Sequence, residues 1–278
     1  RAYLAPLAAA GFAGCVDNSP GSAPESPTDT DSPTATTAPS TSSRPGLTVE
    51  AAAVQYAYRH IENVDWNGIQ PADGQFVFVT VDARPADAVP ARSAFTLVAD
   101  GEQYAPAELA HRMPVDLDVP GSAYAPDRED GTRRGWLAFE TPAELGSLPT
   151  LRLDRDPVPA EWELDADLAT APPPAWEWSV DAPETVGPNT TFDVAITAEN
   201  VGDGPGAFRG AVNFSYPLYA PKGFDIALDP GQPGTERVEA EVRDAEPGRE
   251  IEYDVRTPVG ETTVTVTVGG DSTDTETA

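Results

Sequence analysis

The sequence has few of the residues that most often build cross-links, metal centres or nucleophiles. Its 278 residues include one cysteine, one methionine and two histidines, and Lys222 is the only lysine. A single cysteine leaves no disulfide within the chain, and His60 and His111 lie too far apart to show the spacing of a metal site. No Gly-x-Ser-x-Gly elbow and no glycine-rich phosphate loop is present. Zinc sites and Cys/His nucleophile pairs are therefore disfavoured, whereas spacing does not exclude a Ser/His/Asp triad.

Positive charge and long hydrophobic runs are scarce as well. Lys+Arg is 17 against Asp+Glu 46, a formal net charge of -29, and no apolar run approaches the ~20 residues of a membrane-spanning helix. Such an acid excess repels nucleic acid and anionic lipid, and fits a cation-binding protein, an acidic disordered chain or life in high salt. The acids alternate with apolar segments, which indicates solvent faces on a folded chain. This surface resembles that of extremely halophilic proteins; a merely acidic secreted protein is the alternative.

The only cysteine follows a short apolar stretch near the start of the sequence. Residues 2–14, AYLAPLAAAGFAG, have the size of a signal-peptide core. The letters FAGC that end at Cys15 resemble a lipobox, which implies cleavage before Cys15 and a diacylglyceryl group on its sulfur. Two acyl chains bury enough methylenes for a stable membrane anchor. The alternative, a structural cysteine in an N-terminal helix, is disfavoured by Pro6 and Gly11.

The first residues also resemble half of an export signal, and a polar tract follows the cysteine. Arg1 with the bulky Tyr3 and Leu4 resembles the second half of a twin-arginine signal; because the sequence does not begin with Met, we expect the first arginine upstream. Residues 16–46 are rich in Ser, Thr and Pro, typical of an extended, mucin-like stalk or a plain disordered linker.

The predicted organisation is a partial, twin-arginine-like lipoprotein signal peptide (1–14), the lipidated cysteine with a disordered stalk (15–46), a first domain (47–168), a proline-rich linker (169–175), a second domain (176–268) and a disordered tail (269–278).

Alternating hydrophobicity predicts a β-sandwich over residues 47–168. In GQFVFVTVDARP, both faces are apolar, so this strand should lie at the centre of a sheet. Asp100-Gly101 predicts a tight turn, and residues 106–113, PAELAHRM, predict one short helical turn. GQFVFVTVDARP, AFTLVADGEQYAP and GTRRGWLAFETP, in that order, resemble a telokin-like, immunoglobulin-type domain of prokaryotic lipoproteins. That family has no agreed catalytic residues, so the resemblance implies none here.

A second sandwich is predicted over residues 176–268. Seven short alternating strands with Gly/Pro turns are typical of an immunoglobulin-like fold. Val194 and Ile196 should face inward, and residues 200–204, NVGDG, should form a turn. FDVAITAENVGDGPGAFRGAVNF resembles the CARDB family of cell-adhesion-related domains. The fold class is therefore all-β, two tandem immunoglobulin-like sandwiches, with the ATAPPPA linker at 169–175 as a semi-rigid spacer.

Candidate site residues are few. Asn189 and Asn213 head Asn-x-Ser/Thr sequons and are candidate N-glycosylation sites on an exported protein. The loop that carries Tyr216 and Tyr219 is a candidate contact loop, although both rings could instead cap the core. The acidic loop with Asp127, Glu129 and Asp130 could bind calcium or be a solvated loop. The tryptophans near the linker could pack between the two domains or bind sugar: Trp162, Trp176 and Trp178.

The function expected from these patterns is non-enzymatic. We expect a lipoprotein on the outer face of the cytoplasmic membrane, acting in adhesion, surface structure or protein contact, with a surface protein or glycan as partner. Neither a cofactor, a metal nor nucleic acid is expected. A ligand-binding or accessory lipoprotein of a transporter or secreted enzyme is the alternative, and a buried His–acid–Ser cluster would favour a hydrolase. The adhesion role comes from the CARDB resemblance alone.

Overall fold

The computed structural model describes residues 46–111, 113–128, 131–155, 159–216 and 220–270. The described chain is all-β, as predicted, with two 3-10 turns at Arg92–Ala94 and Asp167–Thr170. None of its helical segments has the length and apolar character needed to cross a bilayer. The following predicted features lie outside the described residues: the signal segment, Cys15, the stalk as far as residue 45, Glu129, Asp130, Tyr219 and the tail from residue 271.

The first sandwich comprises eight strands in two four-stranded sheets. The strands are β1 (Thr48–Asn63), β2 (Trp66–Asp82), β3 (Phe95–Ala99), β4 (Glu102–Tyr104), β5 (Pro114–Val115), β6 (Arg134–Thr141), β7 (Thr150–Leu153) and β8 (Ala160–Glu163). The strand orders are β5-β1-β2-β6 and β4-β3-β7-β8. Asp100 and Gly101 both have positive φ, 55° and 81°, which confirms the tight turn between β3 and β4.

Strand β2 is central and buried on both faces, as its sequence predicted. Val77 and Val79 belong to the core between the two sheets. Phe76 and Phe78 point the other way into a smaller cluster with Trp136. The segment between β4 and β6 covers that second face with its own apolar side chains, so a strand with two apolar faces is buried without a third sheet.

The predicted helical turn over residues 106–113 is wrong. Its backbone forms hydrogen bonds with neighbouring strands instead. Ala107 N donates to Ala138 O at 2.7 Å, and Ile61 N donates to Met113 O at 2.9 Å. These partners lie on β6 and β1, so the segment follows the sheet in an irregular path. External hydrogen bonds thus satisfy backbone groups that a helix would have paired internally.

Strands β1 and β2 form a longer hairpin than the sequence indicated. Their pairing continues from Thr48↔Asp82 to Asn63↔Trp66, with a register shift between Gln55 and Ala57. The predicted second strand covers only the half of β2 that lies within the first sandwich. The outer half, residues 57–71, extends beyond that core and packs against β12 of the second sandwich. We call this contact region the seam.

The second sandwich contains all seven predicted strands and one short addition. They are β9 (Trp176–Asp181), β10 (Thr185–Val186), β11 (Thr191–Asn200), β12 (Gly206–Phe214), β13 (Lys222–Leu228), β14 (Pro233–Glu241), β15 (Glu250–Thr257) and β16 (Gly260–Val268). The sheets have the orders β10-β16-β15-β12-β13 and β14-β11-β9. Val194 and Ile196 are fully buried in its core, as expected from the alternation.

The proline-rich linker is not a free spacer, because a turn of the second sandwich holds it. Asn200, fully buried, donates to Gly204 O at 2.8 Å and accepts from Ala175 N at 3.3 Å. A Cβ on Gly204 would lie 1.7 Å from Pro172 O, so only glycine permits this approach. The turn at 200–204 and the linker thus bind each other, which fixes the predicted semi-rigid linker against the second sandwich.

Candidate functional site at the seam

The outer face of β12 is buried, although a sandwich strand of this kind usually presents that face to solvent. Phe208 and Val212 point into the second core, whereas Arg209, Ala211 and Asn213 alternate with them on the other face and are also buried. The β1–β2 hairpin covers that face. The seam therefore buries polar side chains, and such groups require partners.

Arg59 on β1 crosses the seam into the second sandwich. Its Nη1 donates to Gly210 O at 3.3 Å, Phe224 O at 3.2 Å and Asp225 Oδ2 at 3.1 Å. Its Nη2 donates to Asp116 Oδ2 at 2.5 Å. One guanidinium thus joins the second sandwich to the loop after β5 through charge-assisted bonds.

Arg209 on β12 makes the reciprocal connection. Its guanidinium binds the carboxylate of Asp118 and donates to Asp116 O at 3.3 Å, both in the first sandwich. It also forms an ion pair with Asp225 Oδ1 at 3.2 Å. Asp225 therefore lies between the two arginines and binds both, so the five side chains form one network.

The network depends on a glycine at the crossing. A Cβ on Gly223 would lie 2.3 Å from Arg59 Cζ and 2.4 Å from its Nε. Gly223 follows Lys222 at the start of β13, and its lack of a side chain leaves the space that the guanidinium occupies. This close approach, not backbone flexibility, explains a glycine inside a strand.

Burial is unequal within the network. The side chains of Arg59 and Arg209 are 5% and 7% exposed, whereas those of Asp116, Asp118 and Asp225 are 68%, 47% and 38% exposed. Two positive charges thus face three negative ones, which leaves a local excess of one carboxylate. The arginines lose hydration and the aspartates largely keep theirs, so the network specifies orientation more than it adds stability.

Asn213 is also used in the seam. Its side-chain Oδ1 accepts from Asn67 N at 2.9 Å, and its Nδ2 donates to Asn67 O at 3.1 Å. The residue is 1% exposed. The amide nitrogen that would carry a glycan is therefore enclosed between the sandwiches, which leaves no room for glycosylation of Asn213 in the folded chain.

The two histidines, 51 positions apart in sequence, meet beside the seam. The rings of His60 and His111 stack with centroids 3.5 Å apart and an interplanar angle of 3°. Parallel stacked rings direct their lone pairs side by side and not toward one point, so they do not form a chelating pair. Consistently, no group of three or more His, Cys, Asp or Glu that could hold a metal occurs among the described residues.

The environment of His60 disfavours positive charge on its ring. Burial lowers the pKa of His60, and the neighbouring His111 lowers it further, against an opposing effect of Glu62. The pair borders a cavity of about 370 Å³ that Arg256 and Glu261 of the second sandwich also line. Arg256 binds Glu62 across the seam at 2.8 Å.

A second cavity lies elsewhere along the seam. Its volume is about 340 Å³, and residues of both sandwiches line it, among them Gln55, Tyr56, Asp118, Arg209 and Leu228. Gln55 is 2% exposed, and its Nε2 has no hydrogen-bond partner among the described residues. Burial, followed by Glu144, raises the pKa of Tyr56. The cavity thus combines apolar walls with a few polar groups.

The other predicted site residues lie away from the seam. Asn189 is exposed in a turn with φ 54°, a position that could carry a glycan. Tyr216 packs against the second core and donates to Arg243 O at 2.5 Å, with the Arg249 guanidinium 4.0 Å from its ring centroid. The capping role is thus the one observed for Tyr216. Asp127 borders a third cavity beside two arginines, Arg92 and Arg128.

The tryptophans do not seal the junction between the sandwiches, contrary to expectation. Trp162 is 6% exposed within the first core. Trp176 and Trp178 both pack on Phe208, with centroids 5.4 and 6.2 Å away. Each ring therefore completes the core of its own sandwich. The expectation depended on proximity to the linker, whereas the side-chain alternation of β8 and β9 directs these rings into the cores.

Comparison with known proteins gives only partial likenesses. No family model and no curated protein matches the chain. Similar solved structures include a β-glucosidase from Listeria innocua in complex with glucose (19% identity, TM-score 0.29, 35% of this chain and 16% of that chain). A CARDB domain from Pyrococcus furiosus in complex with di-metal ions matches at 14% identity and TM-score 0.30, with 35% of this chain and 96% of that chain covered.

A third similar structure is the alkylpurine DNA glycosylase AlkC of Pseudomonas fluorescens bound to DNA containing an abasic site analog (17% identity, TM-score 0.27, 37% of this chain and 32% of that chain). The chain spans 15–16% of the length of the β-glucosidases that it matches. Similarity at this level does not extend to activity or ligand. The description of both sandwiches therefore depends on their own strands and cores.

Proposed function

We propose that this chain is a non-enzymatic surface module whose two sandwiches are presented as one fixed unit for contact with another surface component. The observation that carries the proposal is the Arg59/Arg209–Asp116/Asp118/Asp225 network, which sets the orientation of one sandwich on the other. An adhesion or structural module must hold its contact faces in a constant arrangement, because flexibility between them would cost ordering entropy at each contact.

The anchor is the second part of the proposal. A lipid on Cys15 and the Ser/Thr/Pro-rich stalk would hold the acidic sandwiches outside the cytoplasmic membrane, away from anionic headgroups that their charge repels. A single acylated cysteine uses the only thiol, so stability outside the cell would depend on the two cores and not on disulfides.

Mass spectrometry of the mature polypeptide from native membranes tests the anchor. We expect the polypeptide to begin at Cys15 and to carry two lipid chains. Replacement of Cys15 by Ser should move the protein from the membrane fraction to the medium, whereas a Ser19→Ala control should stay in the membrane fraction. Residues 1–14 still attached to a free thiol would refute the anchor.

Cross-linking on intact cells in their growth salt tests the contact role. The full-length protein should give reproducible cross-links to other surface proteins or glycans, and Arg59→Met should reduce them although the variant is anchored normally. A partner profile indistinguishable from that of a lipid-anchored unrelated domain would refute the role.

A specific observation favours one alternative, a ligand-binding or accessory lipoprotein. The cavity of about 340 Å³ between the sandwiches is within the size range of small-molecule sites and includes a buried amide donor, Gln55 Nε2, without a partner. Calorimetry with neutral monosaccharides and disaccharides tests this alternative. Binding that Gln55→Leu weakens and an exposed control, Gln103→Leu, does not would favour it over the contact role; no heat with any of them would leave the contact role preferred.

A further inference from the structure

The only two histidines of the chain form one stacked pair, and the packing around them is asymmetric. His60 lies on β1, and a Cβ on Gly68 would lie 2.4 Å from its Cε1, so its ring rests directly against the backbone of β2. His111 lies in the irregular segment before β5. Two hydrogen bonds join that segment to β1: His111 N donates to Tyr58 Oη at 3.3 Å, and Ile61 N donates to Met113 O at 2.9 Å. Ala107 N joins the start of the segment to β6.

Charged side chains face the pair from two cavities: Arg92, Glu108, Asp127 and Arg128 line the third cavity beside His111, and three more line the cavity that both rings border. Glu62 lies two residues after His60 on β1, Arg256 lies on β15, and Glu261 lies on β16. Arg256 binds Glu62 at 2.8 Å and Glu261 at 3.5 Å. Strand β2 contributes only Gly68 and Ile69 to this cavity, neither of which is charged, and Tyr58 presents its ring edge to His60 at 6.1 Å.

We propose that the His60–His111 stack is an acid-sensitive clasp: protonation of both rings releases His111 and its segment from β1, and draws Glu62 away from Arg256 across the seam. Two positive rings 3.5 Å apart repel each other in a partly buried site where water screens them poorly. The His60 ring packs closely on Gly68 and has little room to move, so the segment that carries His111 moves.

The consequence is confined to one end of the seam. Protonated His60 competes with Arg256 for the carboxylate of Glu62, which weakens one ion pair between the sandwiches. The network around Arg59 contains no histidine. Acid should therefore open the cavity of about 370 Å³ while the two sandwiches stay joined.

The chain suits an NMR titration, because only two histidine ring signals exist. In the full-length protein between pH 8 and pH 4.5, we expect the second ring to bind its proton at least tenfold more weakly than the first. The amide of Ile61, which is bonded to Met113 O, should lose at least tenfold of its hydrogen-exchange protection between pH 7.5 and pH 5. The amide of Val255, paired with Val212 inside the second sandwich, is the internal control and should keep its protection.

His111→Phe is the matched variant, because it preserves a stacked ring without a charge. Its His60 should titrate at a higher pH than in the parent protein, and its Ile61 amide should stay protected at pH 5. Independent titration of both histidines near their ordinary pKa in the parent protein would overturn the clasp. So would coupled titration with unchanged Ile61 protection, since the rings would then interact without releasing the segment.

Discussion

Replacement of Arg59 by Met should weaken the whole folded unit and not only the first sandwich. Met retains an unbranched apolar stem and removes the guanidinium, so packing along the stem is largely kept. The lost groups are four hydrogen bonds, two of them to the carboxylates of Asp116 and Asp225 and two to backbone carbonyls of the second sandwich. All of the lost connections cross between separate elements.

The expected loss of stability depends on the groups that lose the Arg59 guanidinium as a partner. Removal of one partner from a buried ion pair costs about 3–5 kcal/mol when the other charge stays buried. Here the carboxylates of Asp116 and Asp225 are 68% and 38% exposed and can rehydrate, which lowers the cost, whereas the carbonyls of Gly210 and Phe224 lose a donor in a buried site. We expect a loss of about 3 kcal/mol, or roughly 6–12 °C in Tm for a unit of this size.

Urea unfolding at one fixed salt concentration measures this loss, followed by circular dichroism and tryptophan fluorescence. Parent protein should unfold in one transition, and Arg59→Met should show a lower midpoint with the two probes no longer coincident, because the sandwiches lose their coupling. Arg237→Met is the control: Arg237 is 67% exposed and its nearest carboxylate is 3.9 Å away, so its loss should stay below about 0.5 kcal/mol. A loss below about 1 kcal/mol for Arg59→Met, with the two probes still coincident, would refute the coupling of the sandwiches by the seam network.

Three further predictions concern single positions. Asn200→Ala should lower stability by about 2–4 kcal/mol in the same urea assay, because it leaves Gly204 O, Leu228 O and two backbone amides without their partner; a smaller change than for the exposed control Asn63→Ala would contradict it. Gly223→Ala should cost about 1–3 kcal/mol through the clash with Arg59, and the double variant with Arg59→Met should recover most of that loss. Burial raises the pKa of Tyr124 and of Tyr253 to about 12, so stability should fall as pH rises from 10 toward 12, where only the unfolded chain ionises; absorbance at 295 nm of parent protein and of Tyr124→Phe measures this, and ionisation of all tyrosines near pH 10 in folded protein would contradict it.

Local sequence signals were sufficient for most of the strands. The alternation around Val77 and Val79 predicted a central strand because both of its faces are apolar, and a second apolar layer was indeed found over it. Asp100-Gly101 predicted a turn whose two residues both adopt positive φ. Strand alternation and turn formation both depend on a few consecutive residues. A short stretch of sequence is therefore enough to predict them.

The seam was not predictable in this way. Arg209 and Asn213 alternate with core residues on β12, a pattern that predicts exposure to solvent. In an isolated sandwich both side chains would be exposed. Their burial depends on the outer half of the β1–β2 hairpin. The pairing of these two strands continues into that half only through a register shift between Gln55 and Ala57. The histidine stack likewise joins positions on a strand and an irregular segment, and no spacing rule connects them. A useful signal was present in retrospect: Gly223 is a glycine within a strand pattern, which indicates close approach of another group.

Basic residues are few beside the acids in this chain, and the placement of two arginines explains how an acidic protein keeps two domains in one arrangement. With 46 acidic and 17 basic residues, nearly any arginine on the surface has a carboxylate nearby. Charge alone therefore cannot determine which carboxylate an arginine binds. Selection comes from shape, because only the opening left by Gly223 admits a guanidinium to three acceptors of the second sandwich. At 1 M salt the Debye length is ~3 Å, which screens exposed pairs such as Arg237–Asp193 but acts much less on buried ones. The buried arginines should therefore preserve the seam under the high salt that an acid-rich surface tolerates, and the exposed ion pairs should contribute little there.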